Sequence, residues 1–260
     1  MNDRVTIELQ EHVAHVQLNR PDKLNALDVE MFEALNDAPQ RIGELGDVRA
    51  VVLSGAGPSF CSGLDVASCM SSPAFMQRAF DNIEGTPANF VQHVAVAWRY
   101  LTVPVIAAVT GRCYGGGLQI ALGADLRFVA ADAQLSVMEI KWGIVPDMGI
   151  TQTLRNLVRI DQAKELAMSG RLVDGEEACA LGLATRVCDD PVADALAYAA
   201  TLAGRSPDAI RGVKRLFNEA WQGDGDAGLA LEAAIQKTLL GQPAQLESAR
   251  AVFEKRQPRF

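Results

Sequence analysis

Three consecutive glycines, Gly115, Gly116 and Gly117, interrupt an otherwise apolar stretch from Thr102 to Ala130, TVPVIAAVTGRCYGGGLQIALGADLRFVA. Glycine gives up more backbone freedom on folding than any other residue, so such a run is costly in any regular element. It makes sense where the backbone must approach a ligand with no Cβ in the way. The stretch reads as a buried strand (Val103–Val109), a sharp loop, the glycines, a short apolar helix and a second strand. N–H groups at the start of a helix have no intrahelical partner, and the positive end of the helix dipole lies behind them. The chemistry suited to that place is the holding of a negatively charged oxygen. A tight turn that packs strand on helix accounts for the glycines equally well.

The chain that must position this loop has 260 residues, 49% of them apolar, enough for a packed core with or without an appended domain. A net charge of −8 argues against a nucleic-acid footprint. No apolar run reaches the length of a membrane span, and the opening MNDRVTIELQ has neither the basic nor the apolar region of a targeting peptide. Cys61, Cys69, Cys113, Cys179 and Cys188 contain no CxxC pair, and the three histidines are scattered, so no metal site is expected. The cysteines read as reduced thiols of a cytoplasmic protein.

Along the chain, Val5, Ile7 and Leu9 alternate with polar residues and predict a strand, with Ala14, Val16 and Leu18 as its hairpin partner. Asp28 can cap a helix bearing Met31, Leu35, Ile42 and Leu45, which Pro39 should kink or divide. Arg49–Ser54 is a compact strand. The weakly periodic stretch Ala67–Gly85, together with Trp98, Tyr114 and Trp142, could wall an apolar pocket or simply be core. Thr86 as N-cap and Pro87 at the first position predict a helix through Leu101. Gln134–Val137 reads as a strand, Ile150–Val158 as a helix, and a further helix is capped by Asp161 and closed by Gly170. After Pro191 only helical patterns remain, with a boundary near Gly204; the class is mixed α/β.

With these pieces in place the chain resembles the crotonase family, the enoyl-CoA hydratase/isomerase superfamily. The resemblance rests on NRPDKLNAL (Asn19–Leu27), FCSGLD (Phe60–Asp65), PVIAAVTGRCYGGGLQIALGADLRF (Pro104–Phe128), EIKWGIVPDMGITQTL (Glu139–Leu154) and the ending FEKRQPRF (Phe253–Phe260), in order and at family spacing. It implies a ββα spiral core over residues 1–203 and a C-terminal helical domain over 204–260 that forms trimers, commonly stacked as hexamers. It implies an acyl-CoA thioester as substrate and no separate cofactor. Two backbone N–H groups would hold the thioester oxygen; carried over by motif, these are Ser62 and Gly116. The segments Lys23-Leu24 and Leu64-Asp65 match the adenine-binding backbone, and Lys255 matches a basic residue that reaches the CoA 3′-phosphate, often from a neighbouring subunit.

The family's hydratases pair two glutamates, one just after the glycines and one at the position of Glu139. This chain keeps Glu139 but has Gln119 at the first position. Glutamine can hydrogen-bond a water, yet it cannot carry the proton of the catalytic step. Asp147, eight residues beyond Glu139, matches an acid of the family's dienoyl-CoA isomerases; without that match it reads as readily as an N-cap for the next helix. The expectation is therefore a double-bond isomerase of enoyl- or dienoyl-CoA with Glu139 and Asp147 as proton carriers. A hydratase, or a silent acyl-CoA binder, are the alternatives.

Overall fold

Strands buried on both faces need apolar residues at nearly every position, and this chain supplies them in short runs separated by helices. The computed structural model describes residues 4–260. Strands β1 (Val5–Gln10) and β2 (Val13–Leu18) form the expected antiparallel hairpin, turned by Glu11 and His12, both at positive φ. Helix α1 (Val29–Glu44) then crosses to β3 (Ala50–Gly55), which pairs parallel with β2. Two short helices, α2 (Val66–Met70) and α3 (Pro73–Arg78), and the longer α4 (Phe90–Tyr100) lead to β4 (Val105–Val109). Next come β5 (Arg112–Tyr114), α5 (Gly116–Leu122), β6 (Leu126–Ala130) and β7 (Gln134–Ser136). A 3-10 turn over Glu139–Trp142, α6 (Ile150–Thr153), α7 (Ile160–Ser169), α8 (Gly175–Leu181) and β8 (Arg186–Cys188) follow. The chain ends in α9 (Pro191–Ala203), α10 (Pro207–Ala220), α11 (Gly225–Leu239) and α12 (Pro243–Phe253).

The main sheet has the order β1-β2-β3-β4-β6-β8, parallel except at the first pair. Val51, Leu53, Val105, Ala107 and Val109 face α1, α4 and α5, whereas Val52, Ile106, Ala108 and Phe128 face α9 through Ala195, Ala199 and Ala203. After each of β4 and β6 the chain doubles back into a second, smaller sheet, β5 beside β7, and Cys61 extends it by a bridge to Cys113. Strand in the large sheet, short strand in the small one, then helix: this ββα step repeats, and the small sheet leads into α5 and into the 3-10 turn that bears Glu139.

Several local expectations fail for identifiable reasons. Pro39 lies inside α1 without dividing it; the buried stripe Met31, Leu35, Ala38 and Ile42 holds the helix in one piece. The N-cap of α4 is Asn89, not Thr86. Asn89 and Gln92 form a reciprocal capping box, and the Thr86 hydroxyl accepts from the Ala88 N–H in the turn before it. The Ile150–Val158 helix is only α6 plus a 3-10 turn over Leu154–Asn156. Asp161 lies in the first turn of α7 rather than at its cap, paired to Arg159. Among the described residues, no helix is long and apolar enough to cross a membrane.

Helices α10 and α11 pack on each other, and one buried cation ties them to the sheet. Lys214, its side chain 7% exposed, donates to the carbonyls of Trp98 (3.1 Å) and Val103 (2.8 Å) and pairs with Asp125 at 2.8 Å. Burial lowers its pKa, and Asp125 opposes that shift. Removing the ammonium strands two carbonyls and a carboxylate, so Lys214→Met should cost about 3 kcal/mol. Urea unfolding checks this; an unchanged midpoint would mean that apolar contact alone seats α10.

Candidate active site

The site begins with a loop that two left-handed residues allow to fold back. Leu24 and Asn25 have φ of 50° and 56°. Asparagine tolerates this region because its short amide can bond locally. Asn25 is fully buried; its amide nitrogen donates to the carbonyls of Ala56 (2.9 Å) and Ser59 (2.8 Å), and its oxygen accepts from the Arg20 N–H (2.8 Å). The backbone of this loop then zips onto the Phe60–Asp65 segment. Leu27 N–H donates to Gly63 O (2.8 Å), Asp65 N–H to Leu27 O (3.0 Å) and Ser62 N–H to Leu24 O (2.9 Å). Arg20 completes the join through ion pairs with Asp65 (2.8 Å) and Asp28 (3.3 Å). The bond from Arg20 holds the Asp65 carboxyl below its ordinary value, and Asp65 also caps α2. Lys23, Leu24, Leu64 and Asp65 are thus brought together. Lys255 is not; it sits exposed in the turn after α12, with no hydrogen bond or ion pair to these loops among the described residues.

Ser62 cannot act as expected. Its N–H is committed to Leu24 O, whereas the N–H of Leu64, two residues on, donates to no acceptor among the described residues. Gly63 turns the chain between them at φ +92°, with room for no Cβ, since one would meet Tyr114 O at 2.9 Å. The N–H that this turn frees is therefore that of Leu64. A motif match places the segment but not the hydrogen-bond partner of each N–H, and the free N–H follows the glycine rather than preceding it.

The glycine run meets the same loop from the other side. A Cβ on Gly117 would lie 2.6 Å from Cys61 O, and one on Gly116 would lie 2.8 Å from Met148 Sδ and 2.9 Å from Leu27 Cδ1. Close contact, not turn-making, is what these two positions require: with backbone at Gly117 and with two side chains at Gly116. Helix α5 starts at Gly116 itself, so two of the glycines are helical, and the Gly116 N–H has no acceptor among the described residues. With only seven residues in α5, the individual N–H groups, rather than the helix dipole, make the place for an oxygen anion.

Two carboxyls and one amide complete the arrangement. Gln119, 1% exposed on α5, donates from Nε2 to Glu139 Oε1 at 2.6 Å and accepts at Oε1 from the Met148 N–H at 2.9 Å. Glu139 is buried, its Oε1 lies 3.4 Å from where a Gly115 Cβ would be, and its Oε2 has no hydrogen-bond partner among the described residues. Burial is the main force raising its pKa; the Asp147 charge raises it further and the Gln119 bond opposes. Asp147 is exposed by area, yet its surroundings raise its pKa by desolvation. It does not cap α6, where Gly149 holds that place. Trp98 is core, fully buried and donating to Val94 O; Tyr114 donates to Gln134; Trp142, with Ile144 and Val145, is exposed in the loop between the two acids.

Two unpartnered backbone N–H groups and a buried carboxylate on neighbouring segments would suit reactions that pass through an enolate-like anion. A model of the family described as "Enoyl-CoA hydratase/isomerase" matches residues 8–260. The chain belongs to the enoyl-CoA hydratase/isomerase family. It is 33% identical over 261 residues to a peroxisomal Δ(3,5)-Δ(2,4)-dienoyl-CoA isomerase of Arabidopsis thaliana, covering 95% of this chain and 92% of the relative. It is also 33% identical over 263 residues to a protein of Mycobacterium leprae described as a probable enoyl-CoA hydratase, covering 99% and 98%. The crystal structure of an enoyl-CoA hydratase from Bacillus anthracis superposes with a TM-score of 0.90 at 29% identity, covering 99% of this chain and 98% of that one. The protein is thus an enzyme of this family with the crotonase fold, and its relatives carry the names of both reactions.

The raised carboxyls carry a stability consequence with a definite sign. A carboxyl whose folded pKa lies above its unfolded one binds more protons when folded, so stability falls as pH rises through that window. Glu139→Gln removes the charge that burial penalises. The variant should melt above the parent at neutral pH, and the gap should close as pH falls toward the ordinary carboxylate range. A gap that stays constant with pH, followed by calorimetry, would assign the cost to something other than the Glu139 charge.

Proposed function

We propose that this enzyme shifts a double bond in an enoyl- or dienoyl-CoA. The observation that carries the reading is the 2.6 Å contact between Gln119 and Glu139. A water held between two side chains needs two hydrogen bonds of about 2.8 Å each, so the side chains must stand roughly 5 Å apart. Here the two groups touch, and one of them is an amide that cannot transfer a proton. A hydratase pairing of two acids around a water is therefore absent from this pair. Isomerisation requires no water.

In the proposed reaction the thioester oxygen accepts hydrogen bonds from the N–H groups of Leu64 and Gly116. Glu139 removes a proton from a carbon of the acyl chain, the electron pair moves into the conjugated thioester, and the oxygen carries the resulting dienolate charge. Reprotonation at a different carbon, by Glu139 itself or by Asp147, leaves the double bond displaced and the atoms balanced. Removing one such donor typically costs about 3–4 kcal/mol of transition-state stabilisation. The CoA moiety would run along the Lys23-Leu24 and Leu64-Asp65 backbone. Residues 1–203 would form the acyl-CoA-binding core, and 204–260 the assembly domain of a homotrimer or stacked hexamer. Support for assembly comes from Phe217, Trp221, Leu240, Val252 and Phe253, large apolar side chains that stand more than half exposed. Lys255 would reach the 3′-phosphate of CoA from a neighbouring subunit. The five free thiols fit a reducing compartment, for which we propose the cytoplasm.

Hydration is the second reading, favoured by the hydratase names among the relatives. A panel of 2-enoyl-, 3-enoyl- and 3,5-dienoyl-CoA substrates, followed by mass and ultraviolet absorbance, separates the two. Isomerisation without mass change should dominate; gain of one water by 2-enoyl-CoA at a far higher rate reverses the assignment. Binding of CoA thioesters without turnover of any of them would mark a silent binder. Glu139→Gln should lower the isomerisation rate by about 10²–10⁴-fold, and an intact rate would remove Glu139 from the proton path.

A further inference from the structure

Resting on the isomerase reading, we infer that Gln119 is a positioning residue. Its single amide fixes which oxygen of Glu139 exchanges protons and holds the Asp147 segment in place beside it. The amide's orientation follows from its two partners. The Met148 N–H can only donate and an ionised carboxylate can only accept, so a flipped Gln119 would set donor against donor and oxygen against oxygen. Oε1 of Glu139 already receives a short, charge-assisted bond and is the poorer acceptor for a second proton. Oε2, buried and unpartnered, is the atom left for the proton of the substrate. Because Met148 directly follows Asp147, the same amide also anchors the peptide that carries the second acid.

Glutamate at this position would not simply restore a second acid. One of its oxygens could still accept from Met148 N–H, but the other would face Glu139 Oε1 across the present 2.6 Å contact. Two carboxyls at such a distance hold one proton between them and titrate as a pair. The result is a base lost near neutral pH rather than a hydratase gained.

The test compares the parent with Gln119→Glu and Gln119→Met, each intact and checked for unchanged CoA-thioester binding. The substrate is whichever enoyl-CoA the parent converts. Gln119→Met keeps the bulk but loses both bonds; kcat should fall about 10²-fold with KM little changed. Gln119→Glu should move the acid limb of the kcat profile upward and recover toward the parent rate at high pH. Asp147 is the other charged group acting on Glu139, so the Gln119→Glu profile is repeated with Asp147→Asn; the limb should still move. Equal, pH-independent losses in both variants would overturn the inference, as would a Gln119→Glu enzyme that hydrates 2-enoyl-CoA faster than it isomerises. If the parent adds water instead of isomerising, the functional proposal fails, while the same profiles run on hydration still judge Gln119. A readout free of turnover is the carboxyl carbon-13 titration of Glu139, assigned by its loss in Glu139→Gln. In Gln119→Met it should move upward, because a bond favouring the ionised form is gone; an unmoved titration would count against the clamp.

Discussion

Everything chemical in this molecule depends on two backbones touching. Gly117 lies against the carbonyl of Cys61 so closely that a methyl group would sit 2.6 Å from that oxygen, and one on Gly63 would sit 2.9 Å from Tyr114 O. These contacts join consecutive turns of the ββα repeat, through the bridge between Cys61 and Cys113. Only with no Cβ between them can the loop that frees the Leu64 N–H pack against the start of α5, where the Gly116 N–H is free. Side chains then reach in from the edges: Leu27 and Met148 over Gly116, and Glu139 beside Gly115. The large sheet and its helices fix the spacing of those strands, which is why the core can be ordinary while the loops are not.

Much of this was legible along the chain because period and punctuation are local. The hairpin, β3, β4 and the C-terminal helices announce themselves by alternation, apolar runs and caps. What escaped was set by tertiary partners. Pro39 stays in α1 because the buried stripe around Ala38 outweighs one lost hydrogen bond. Asn89 outcompetes Thr86 because only Asn89 has a glutamine at the reciprocal position, a signature present in the chain and overshadowed by Thr86-Pro87. Of the two short strands of the small sheet, β7 is legible in the chain as Gln134–Val137, whereas the three residues of β5 are too brief for periodicity to reveal. Motif position points to Ser62, whose N–H is instead spent on Leu24 O, a tertiary partner that no local pattern announces.

The electrostatic design divides the charged residues into two kinds. Arg20, Asp28, Asp65 and Arg4 form a chain of pairs that locks the first loop to the second, and Lys214 with Asp125 locks the C-terminal helices to the sheet. These groups are satisfied, and their work is positional. Glu139 and Asp147 are different: each is pushed toward its neutral form by its surroundings, and Glu139 retains a buried oxygen with nothing to bond. A folded chain tolerates such a group at a cost, since an unsatisfied buried acceptor loses about 1–3 kcal/mol. Perturbed acids beside unpartnered donors are the pattern expected where a ligand supplies the missing contacts.

That pattern bears on how family membership relates to reaction. Two free N–H groups would stabilise an oxygen anion whatever happens next, so they are common ground for isomerisation and hydration alike. The reactions part over what stands opposite the base. An acid at position 119 could give or take a proton and share a water; an amide can only orient what it touches. Here it touches Glu139 directly and Met148 behind it, which converts a place for chemistry into a brace. On the proposed reading the brace lets Glu139 be both buried and fixed: Oε1 is held by a donor that never releases its proton, which leaves the buried Oε2 to act as the base. A mobile carboxylate would divide the proton between two oxygens and two directions. Returning a proton to a chosen carbon requires the opposite, and one neutral side chain is enough to impose it.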